Sequence, residues 1–180
     1  EAAGQTPELI DDPAKVGDCE RLVLPGIGSM AYCHEQLESC GFIGEIDSFR
    51  ESGRPLLGIC VGMQLFMDEG SETRQTNGFG FIPGKVLPIE TDLPVPHIGF
   101  NKLSTEGIAP RNRADDLAAE GYFYFLHSFH CEPADDTTIM ARVSYGARNY
   151  VAILAHENLF GVQFHPEVSG AAGIALLRNF

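Results

Sequence analysis

The sequence lacks tryptophan and is poor in positive charge. Its 12 lysines and arginines face 25 aspartates and glutamates, which gives a net charge of -13 at pH 7. A chain with this excess of negative charge repels phosphate backbones and anionic lipid. We therefore expect it to bind neither nucleic acid nor a membrane surface. The sequence also lacks any run of 18 apolar residues, which excludes a transmembrane helix within it.

The sequence contains neither CxxC nor HExxH, two common metal or redox motifs. It has 5 cysteines, an odd number, and no recognisable secretory signal. We therefore expect free thiols in a reducing cytoplasm rather than a disulfide framework. His127, His130 and Cys131 lie close in sequence, yet their segment alternates like a strand, in which residues three apart face opposite sides. We therefore expect no metal site there.

The first half of the chain alternates apolar strands with helices. Residues 21–24 and 55–60 are predicted to be buried strands. One helix is predicted between them, from the N-cap Ser29 to a stop at Gly41, and another over residues 62–69. This order predicts βαβ units in an α/β fold with a mostly parallel central sheet.

The second half, from residue 78 to residue 165, has frequent glycine and proline and several short strand-like runs. This pattern predicts antiparallel strands added to the α/β core. A closing helix is predicted after Ser169, its candidate N-cap. Because the chain opens with what reads as the end of a helix, we expect an amino-terminal piece to precede it. We expect a single domain over residues 1–180, truncated at its amino terminus and unstable alone.

A cysteine nucleophile is indicated by the segment LLGICVGMQ, residues 56–64. Gly58, Cys60 and Gly62 form the pattern G-x-C-x-G between a strand and a helix, the cysteine counterpart of the G-x-S-x-G elbow. The glycines permit a sharp turn in which side chains would collide with backbone. The helix N-terminus favours the thiolate, and the Val61 amide points to where an oxyanion would develop. A buried cysteine in a glycine-flanked strand is the alternative.

A base and its orienting carboxylate are indicated by FGVQFHPE, residues 160–167. In an extended segment His165 and Glu167 point to the same side, so Glu167 can accept the second ring proton of His165. His165 can then activate Cys60. The turn PGIG, residues 25–28, follows a buried strand, and its amides are candidates for a second oxyanion donor. Taken singly, both segments also fit ordinary turns.

In this order the motifs resemble those of the class I (triad) glutamine amidotransferases, which have a flavodoxin-like fold. Three further segments are similar to the glutaminase subunits of imidazole glycerol phosphate synthases: VPHIGFNKL (95–103), YFLHSFH (124–130) and HPEVSGAAGIALLRNF (165–180). The resemblance spans essentially the whole chain. It implies hydrolysis of L-glutamine to glutamate and ammonia through a Cys–glutamyl thioester. It further implies that the ammonia passes to a (β/α)8-barrel cyclase subunit in histidine biosynthesis, and that no cofactor is needed.

The resemblance assigns roles to individual positions. The nucleophile, the general acid/base and its orienter are, in that order, Cys60, His165 and Glu167. The oxyanion positions are Gly28 and Val61, with Ile27 in the adjoining peptide. The glutamine-binding positions are Gln64 and Glu72, and a carboxylate suits the α-ammonium of glutamine. The expected partner interface comprises Pro96, His97, Ile98, Gly99, Phe100, Asn101, His127 and Ser128.

The sequence departs from the family pattern in three places, two of which, Phe100 and Val168, keep a paralogous glutaminase open. Phe100 stands where tryptophan is usual, which removes an indole N–H donor. Val168 stands where lysine is usual, and the family's opening strand with its DYGxGN turn is absent from this sequence. The alternatives are a paralogous glutaminase that feeds another acceptor such as a surface-sugar amidation enzyme, a non-catalytic flavodoxin-like binding protein, and a cysteine hydrolase or peptidase.

Overall fold

A computed structural model describes residues 3–108 and 121–180. Its strands are β1 (Leu22–Gly26), β2 (Leu56–Cys60), β3 (Glu69–Gly70), β4 (Thr76–Asn77), β5 (Gly84–Pro88), β6 (His97–Ser104), β7 (Tyr122–His127), β8 (Phe129–Pro133), β9 (Ile139–Tyr145), β10 (Arg148–His156) and β11 (Leu159–Val162). Its α-helices are α1 (Met30–Ser39), α2 (Phe42–Glu51), α3 (Val61–Gln64) and α4 (Gly170–Asn179). Short 3-10 helices span Pro13–Asp18, Asp136–Thr138 and Pro166–Val168.

The main sheet is mixed, with the strand order β1-β2-β11-β10-β9-β6-β7. β2 lies between β1 and β11 and is parallel to both, whereas the remaining pairs in this sheet are antiparallel. The prediction of an α/β core with added antiparallel strands is confirmed. The parallel share is smaller than predicted, because β9, β10 and β11 follow one another through short turns, and such turns join antiparallel neighbours. A smaller sheet has the order β4-β3-β5-β8.

β2 is the central strand that carries the candidate nucleophile at its carboxyl end. All five of its positions are buried, and Leu56 and Leu57 are fully inaccessible to solvent. Burying each leucine contributes roughly 1.5–3 kcal/mol. With hydrogen-bonded strands on both sides, β2 therefore holds Cys60 on a rigid element.

The helix predicted from Ser29 is confirmed as α1. The Ser29 hydroxyl accepts a hydrogen bond from the Tyr32 N–H at 3.2 Å, which caps the helix. The helix ends at Ser39, and Gly41 then takes a left-handed φ of 78°. Gly41 ends α1, as the sequence predicts, but a second helix, α2, follows it that the sequence analysis did not predict.

The helix predicted over residues 62–69 is wrong in its length, because α3 ends at Gln64. A neighbouring loop takes the carbonyls that further helical turns would use. The Phe79 N–H donates to the Leu65 carbonyl at 2.7 Å, and the Ile82 N–H donates to the Phe66 carbonyl at 2.9 Å. These hydrogen bonds come from residues distant in sequence, so local periodicity could not reveal them.

The closing helix α4 is confirmed, but the predicted capping role of the Ser169 side chain is wrong. Its hydroxyl donates to the His165 carbonyl at 2.6 Å and accepts from the Tyr124 N–H at 2.9 Å. Ser169 therefore connects the segment that carries His165 to strand β7. Fixing this junction takes precedence over capping the helix.

Candidate active site

Cys60 lies on a sharp turn between β2 and α3. It has φ 54° and ψ -109°, a conformation that residues with side chains rarely adopt. A Cβ on Gly62 would lie 1.9 Å from the Leu24 carbonyl oxygen, and one on Gly58 would lie 2.6 Å from the Gly62 backbone. Both glycines are therefore required sterically, and the strain concentrates at the sulfur-bearing residue, as it does in a nucleophile elbow.

The surroundings of Cys60 favour the neutral thiol. Burial raises its pKa to about 11, and the Glu167 carboxylate adds to the rise, while the Val61 N–H and Gln163 lower the pKa. Of the predicted helix N-terminus effect, the hydrogen bond from the Val61 N–H is present, and burial outweighs it. The predicted preference for the thiolate is thus wrong for the unliganded site, where the thiol needs a base to remove its proton.

His165 is held by Glu167. The distance from His165 Nδ1 to Glu167 Oε1 is 2.8 Å, and the imidazole is buried whereas the carboxylate is half-exposed. A carboxylate only accepts unless it is protonated, so the proton of neutral His165 sits on Nδ1 and Nε2 carries the free lone pair. This is the tautomer that a general base requires.

The backbone of His165 is fixed from two sides. Its N–H donates to the Tyr124 carbonyl at 2.9 Å, in a bridge between His165 and strand β7. Its carbonyl accepts from Ser169. The imidazole thus rests on a segment that is hydrogen-bonded to the sheet, which limits its motion.

One pocket brings most of the predicted site residues together. It encloses about 120 Å³. It is lined by Ile27, Gly28, Cys60, Val61, Gln64, Glu72, Leu126, His127, Ser128, Phe129 and His165. Glu167 lies outside this lining and acts on the pocket through His165. The nucleophile, the base, the oxyanion positions and the glutamine-binding positions predicted from the sequence therefore converge.

The Ile27–Gly28 peptide is held by a thiol. The Cys33 Sγ donates to the Ile27 carbonyl at 3.3 Å. Because the carbonyl and the N–H of a trans peptide point in opposite directions, this contact turns the Gly28 N–H away from Cys33. Gly28 has φ 91°, which favours glycine at this turn.

The two predicted glutamine-binding residues already have partners. A Glu72 carboxylate oxygen accepts from the Met30 N–H, at the start of α1, at 3.1 Å. The Gln64 amide nitrogen donates to the Phe129 carbonyl at 3.1 Å and to Gln163 Oε1 at 3.2 Å. The glutamine-binding roles of Gln64 and Glu72 remain predictions.

Gln163 is a site residue that sequence reasoning missed. It is fully buried, and its Nε2 donates to Cys60 Sγ at 3.5 Å. A polar residue in the otherwise apolar run LFGVQF, two positions before His165, was the available signal.

The predicted interface residues on β6 and β7 differ in exposure, because side chains alternate between the two faces of the sheet along each strand. Ile98 and Phe100 are each 56% exposed, and their cross-strand neighbours are Leu126 and Tyr124. By contrast, His97 and His127 are buried. Pro96 is exposed, while Gly99, Asn101 and Ser128 are half-buried. The outward-facing members are therefore exposed for contact with a partner, whereas the two histidines are buried and His127 lines the pocket.

None of the described helices has the length and apolar composition needed to cross a membrane.

Comparisons with known structures support the fold. A structure described as a glutamine amidotransferase superposes with a TM-score of 0.70 at 15% identity, covering 94% of this chain and 84% of that one. PurLQS from Thermotoga maritima superposes with a TM-score of 0.64 at 19% identity, covering 90% of this chain and 78% of that one. The flavodoxin-like class I amidotransferase fold predicted from the sequence is confirmed.

Comparisons with known sequences are more specific. Residues 5–180 match the family model described as Glutamine amidotransferase class-I. The imidazole glycerol phosphate synthase subunit HisH of Salinibacter ruber is 40% identical, over 100% of this chain and 84% of its own length. The HisH subunit of Syntrophotalea carbinolica is 37% identical, over 100% of this chain and 89% of its own length. The chain therefore belongs to the class I glutamine amidotransferase family and, within it, to the group of the HisH subunits of imidazole glycerol phosphate synthase.

Proposed function

We propose that the chain is the glutaminase subunit of an imidazole glycerol phosphate synthase, with Cys60, His165 and Glu167 as its catalytic triad. The observation that carries the proposal is the pocket shared by Cys60 and His165, in which Glu167 holds the imidazole at 2.8 Å. The proposed location is the cytoplasm, where a thiol nucleophile stays reduced.

The reaction begins with transfer of the Cys60 proton to His165 Nε2. The sulfur attacks the side-chain amide carbon of glutamine, and the resulting oxyanion is held by the N–H groups of Gly28 and Val61. His165 returns the proton to the leaving nitrogen, so the C–N bond breaks, ammonia departs and a Cys–glutamyl thioester remains. Water then attacks the thioester with His165 as base, which releases glutamate and restores the thiol.

Glutamine recognition falls to the remaining pocket residues. Glu72 supplies a carboxylate for the α-ammonium, because one of its oxygens is engaged by the Met30 N–H and the other can accept from the ligand. A Glu72→Gln substitution removes the charge but keeps an acceptor for Met30. We expect it to raise KM for glutamine more than it lowers kcat.

The proposed partner is a (β/α)8-barrel cyclase subunit that receives the ammonia. The outward faces of β6 and β7 support this, because Ile98, Phe100, Tyr122 and Leu126 form an exposed apolar stripe. The stripe adjoins the pocket, since Leu126 lines it. Ammonia released at Cys60 would therefore leave the pocket close to the partner.

The test is release of ammonia from glutamine, measured with and without a histidine-pathway cyclase subunit and its nucleotide ligand. We expect activation by the cyclase, complete loss in Cys60→Ala, and no effect of Cys40→Ala, because Cys40 is exposed and lies outside the pocket. Hydrolysis that depends on Cys60 but ignores the cyclase would support a different acceptor. No hydrolysis under any condition would overturn the proposal.

The interface is tested separately with Phe100→Glu, which places a charge in the apolar stripe. We expect weaker binding of the cyclase and unchanged hydrolysis by the free subunit. Unchanged binding would exclude this stripe as the interface.

A further inference from the structure

Gln163 is a buried amide in contact with the sulfur of Cys60. It follows β11 directly and is inaccessible to solvent, and its Nε2 lies 3.5 Å from Cys60 Sγ. Its backbone N–H donates to the Ala152 carbonyl at 2.9 Å, which fixes the residue to strand β10. We infer that Gln163 is a positioning residue for the Cys60 thiolate, an inference that rests on the proposed thiolate chemistry.

Gln64 determines which end of the Gln163 amide faces the sulfur. The Gln64 nitrogen lies 3.2 Å from Gln163 Oε1. If the Gln163 amide were rotated by half a turn, its nitrogen would face the Gln64 nitrogen, and two donors would oppose each other. In the observed orientation the Gln163 oxygen accepts from Gln64, so its N–H groups point to Cys60.

The orientation of Gln64 is in turn set by a group that cannot rotate. Its nitrogen donates to the Phe129 backbone carbonyl at 3.1 Å, and a carbonyl is only an acceptor. The same carbonyl accepts from His127 Nδ1 at 2.8 Å. The two lone pairs of one carbonyl oxygen therefore hold Gln64 and His127 together.

The two buried histidines continue this hydrogen-bonded chain. Burial lowers the pKa of His127 to about 3, so its ring is neutral and its Nε2 is an acceptor. His97 Nδ1, 3.0 Å away, is then the donor. His97 Nε2 lies 2.9 Å from Asn101 Oδ1, and Asn101 Nδ2 donates to the Ser144 carbonyl at 3.5 Å.

The hydrogen bonds therefore run from His97 on β6 to the sulfur of Cys60, and the Phe129 carbonyl determines the orientations of His127 and Gln64. The His97 ring stacks against Phe125, with centroids 4.9 Å apart, and against Tyr145, at 4.0 Å. These contacts restrict rotation of the His97 ring and so preserve its hydrogen bond to His127. The consequence at the site is an N–H dipole aimed at the position where negative charge forms when Cys60 ionises.

Other charged and titratable groups also act on this sulfur. The Glu167 carboxylate and the Cys33 thiol oppose its ionisation, and His165 and Glu72 line the same pocket. The buried thiol of Cys131 also interacts electrostatically with Cys60. A test must therefore leave these five groups unchanged and alter only the hydrogen-bonded residues between His97 and the sulfur.

The experiment is alkylation of Cys60 by iodoacetamide in the full chain, followed by peptide mass spectrometry across pH. Gln163→Leu replaces the amide with an apolar side chain that is one bond shorter. We expect about tenfold slower alkylation at pH 8 and a profile moved to higher pH, because a hydrogen bond to a charged group is lost. In glutamine hydrolysis we expect lower kcat with nearly unchanged KM.

A second pair of variants acts at a distance from the sulfur. His127→Phe removes the donor to the Phe129 carbonyl, whereas His127→Asn retains an N–H at the equivalent position. We expect His127→Phe to slow alkylation in the same direction and His127→Asn to recover at least half of the wild-type rate. Both are compared at matched folded fractions, judged by thermal unfolding, and this pair alone decides if Gln163→Leu does not fold.

The inference would be overturned if folded Gln163→Leu were alkylated at the same rate as the wild-type chain. It would also be overturned if His127→Phe and His127→Asn changed the alkylation rate equally. Iodoacetamide needs no glutamine, so the outcome is independent of whether the chain is a glutaminase. Failure of the proposed function would instead appear as absent hydrolysis in the wild-type chain.

Discussion

The Glu167 carboxylate lies 2.8 Å from the Nδ1 of His165 and fixes the proton of that ring on the side away from the pocket. The two residues are separated only by Pro166, whose ring restricts φ and stiffens the link. Because Glu167 is half-exposed, its main effect is on tautomer and orientation rather than on stability.

Glu167→Gln is the direct test of this relationship. The amide can turn its nitrogen toward Nδ1 and so favour the wrong tautomer, which leaves Nε2 unable to accept the Cys60 proton. We expect kcat for glutamine hydrolysis to fall by about 10² to 10⁴, with KM little changed. Glu157→Gln is the control, since Glu157 is exposed and pairs with Arg50. Equal activity of the two variants would contradict the orienting role.

The Cys60 thiol gives a pH-dependent prediction. Its pKa is raised from 9.0 to about 11 in the folded chain, so the unliganded site holds little thiolate at neutral pH. We expect the rate of alkylation at Cys60 to climb until the pH approaches 11. A rate that reaches its plateau by pH 8 would contradict the burial argument.

The same shift couples the stability of the chain to pH. The pKa of Cys60 is higher in the folded chain than in the unfolded chain, so the folded chain retains a proton that the unfolded chain loses. The contribution of Cys60 to the free energy of unfolding is therefore fully present below pH 9 and declines toward pH 11. Cys60→Ala lacks this decline. We expect the difference in melting temperature between the two proteins to change over this window, and a constant difference would argue against the shift.

Two glycines make a matched pair for the strained turn. Gly62→Ala puts a methyl group 1.9 Å from the Leu24 carbonyl, so we expect a loss of about 3 kcal/mol or more in the free energy of unfolding. Gly44, inside α2, has open space around its Cα. We therefore expect Gly44→Ala to stabilise the chain by about 0.5–1 kcal/mol, through helix propensity. Denaturant unfolding measures both, and similar values would contradict the packing of the elbow.

Cys33 offers a test of the proposed oxyanion role of the Ile27–Gly28 peptide. Removing the thiol in Cys33→Ala frees the Ile27 carbonyl and allows the peptide to rotate, so that the Gly28 N–H faces the oxyanion for less of the time. We expect kcat to fall by about two- to tenfold. Cys33→Ser, which keeps a donor, should recover much of the loss. Equal rates in the alanine and serine variants would show that the contact does not hold the peptide.

The parts of the site encoded by local sequence could be predicted. The G-x-C-x-G pattern requires the sharp turn at Cys60, and the spacing in HPE brings His165 and Glu167 together. The N-cap at Ser29 likewise indicates α1 from neighbouring residues alone.

The parts that depend on distant segments could not be predicted. The end of α3 is determined by hydrogen bonds from residues 79 and 82, and the Ser169 hydroxyl is diverted from α4 to strand β7. Gln163 was missed because its partners, Cys60 at the end of β2 and Gln64 at the end of α3, are about 100 positions away in the sequence. Periodicity identifies which side chains are inside but does not identify their polar partners.

The central claim is that the sulfur of Cys60 forms a thioester with the glutamyl group. Covalent labelling of the cysteines tests this claim most directly. The chain is treated with a glutamine analogue that carries an electrophilic carbon in place of the side-chain amide, and the label is located by peptide mass spectrometry. We expect modification at Cys60, protection by glutamine, and strong slowing in His165→Ala. Label on the other cysteines with Cys60 unmodified, or modification that glutamine does not prevent, would contradict the claim.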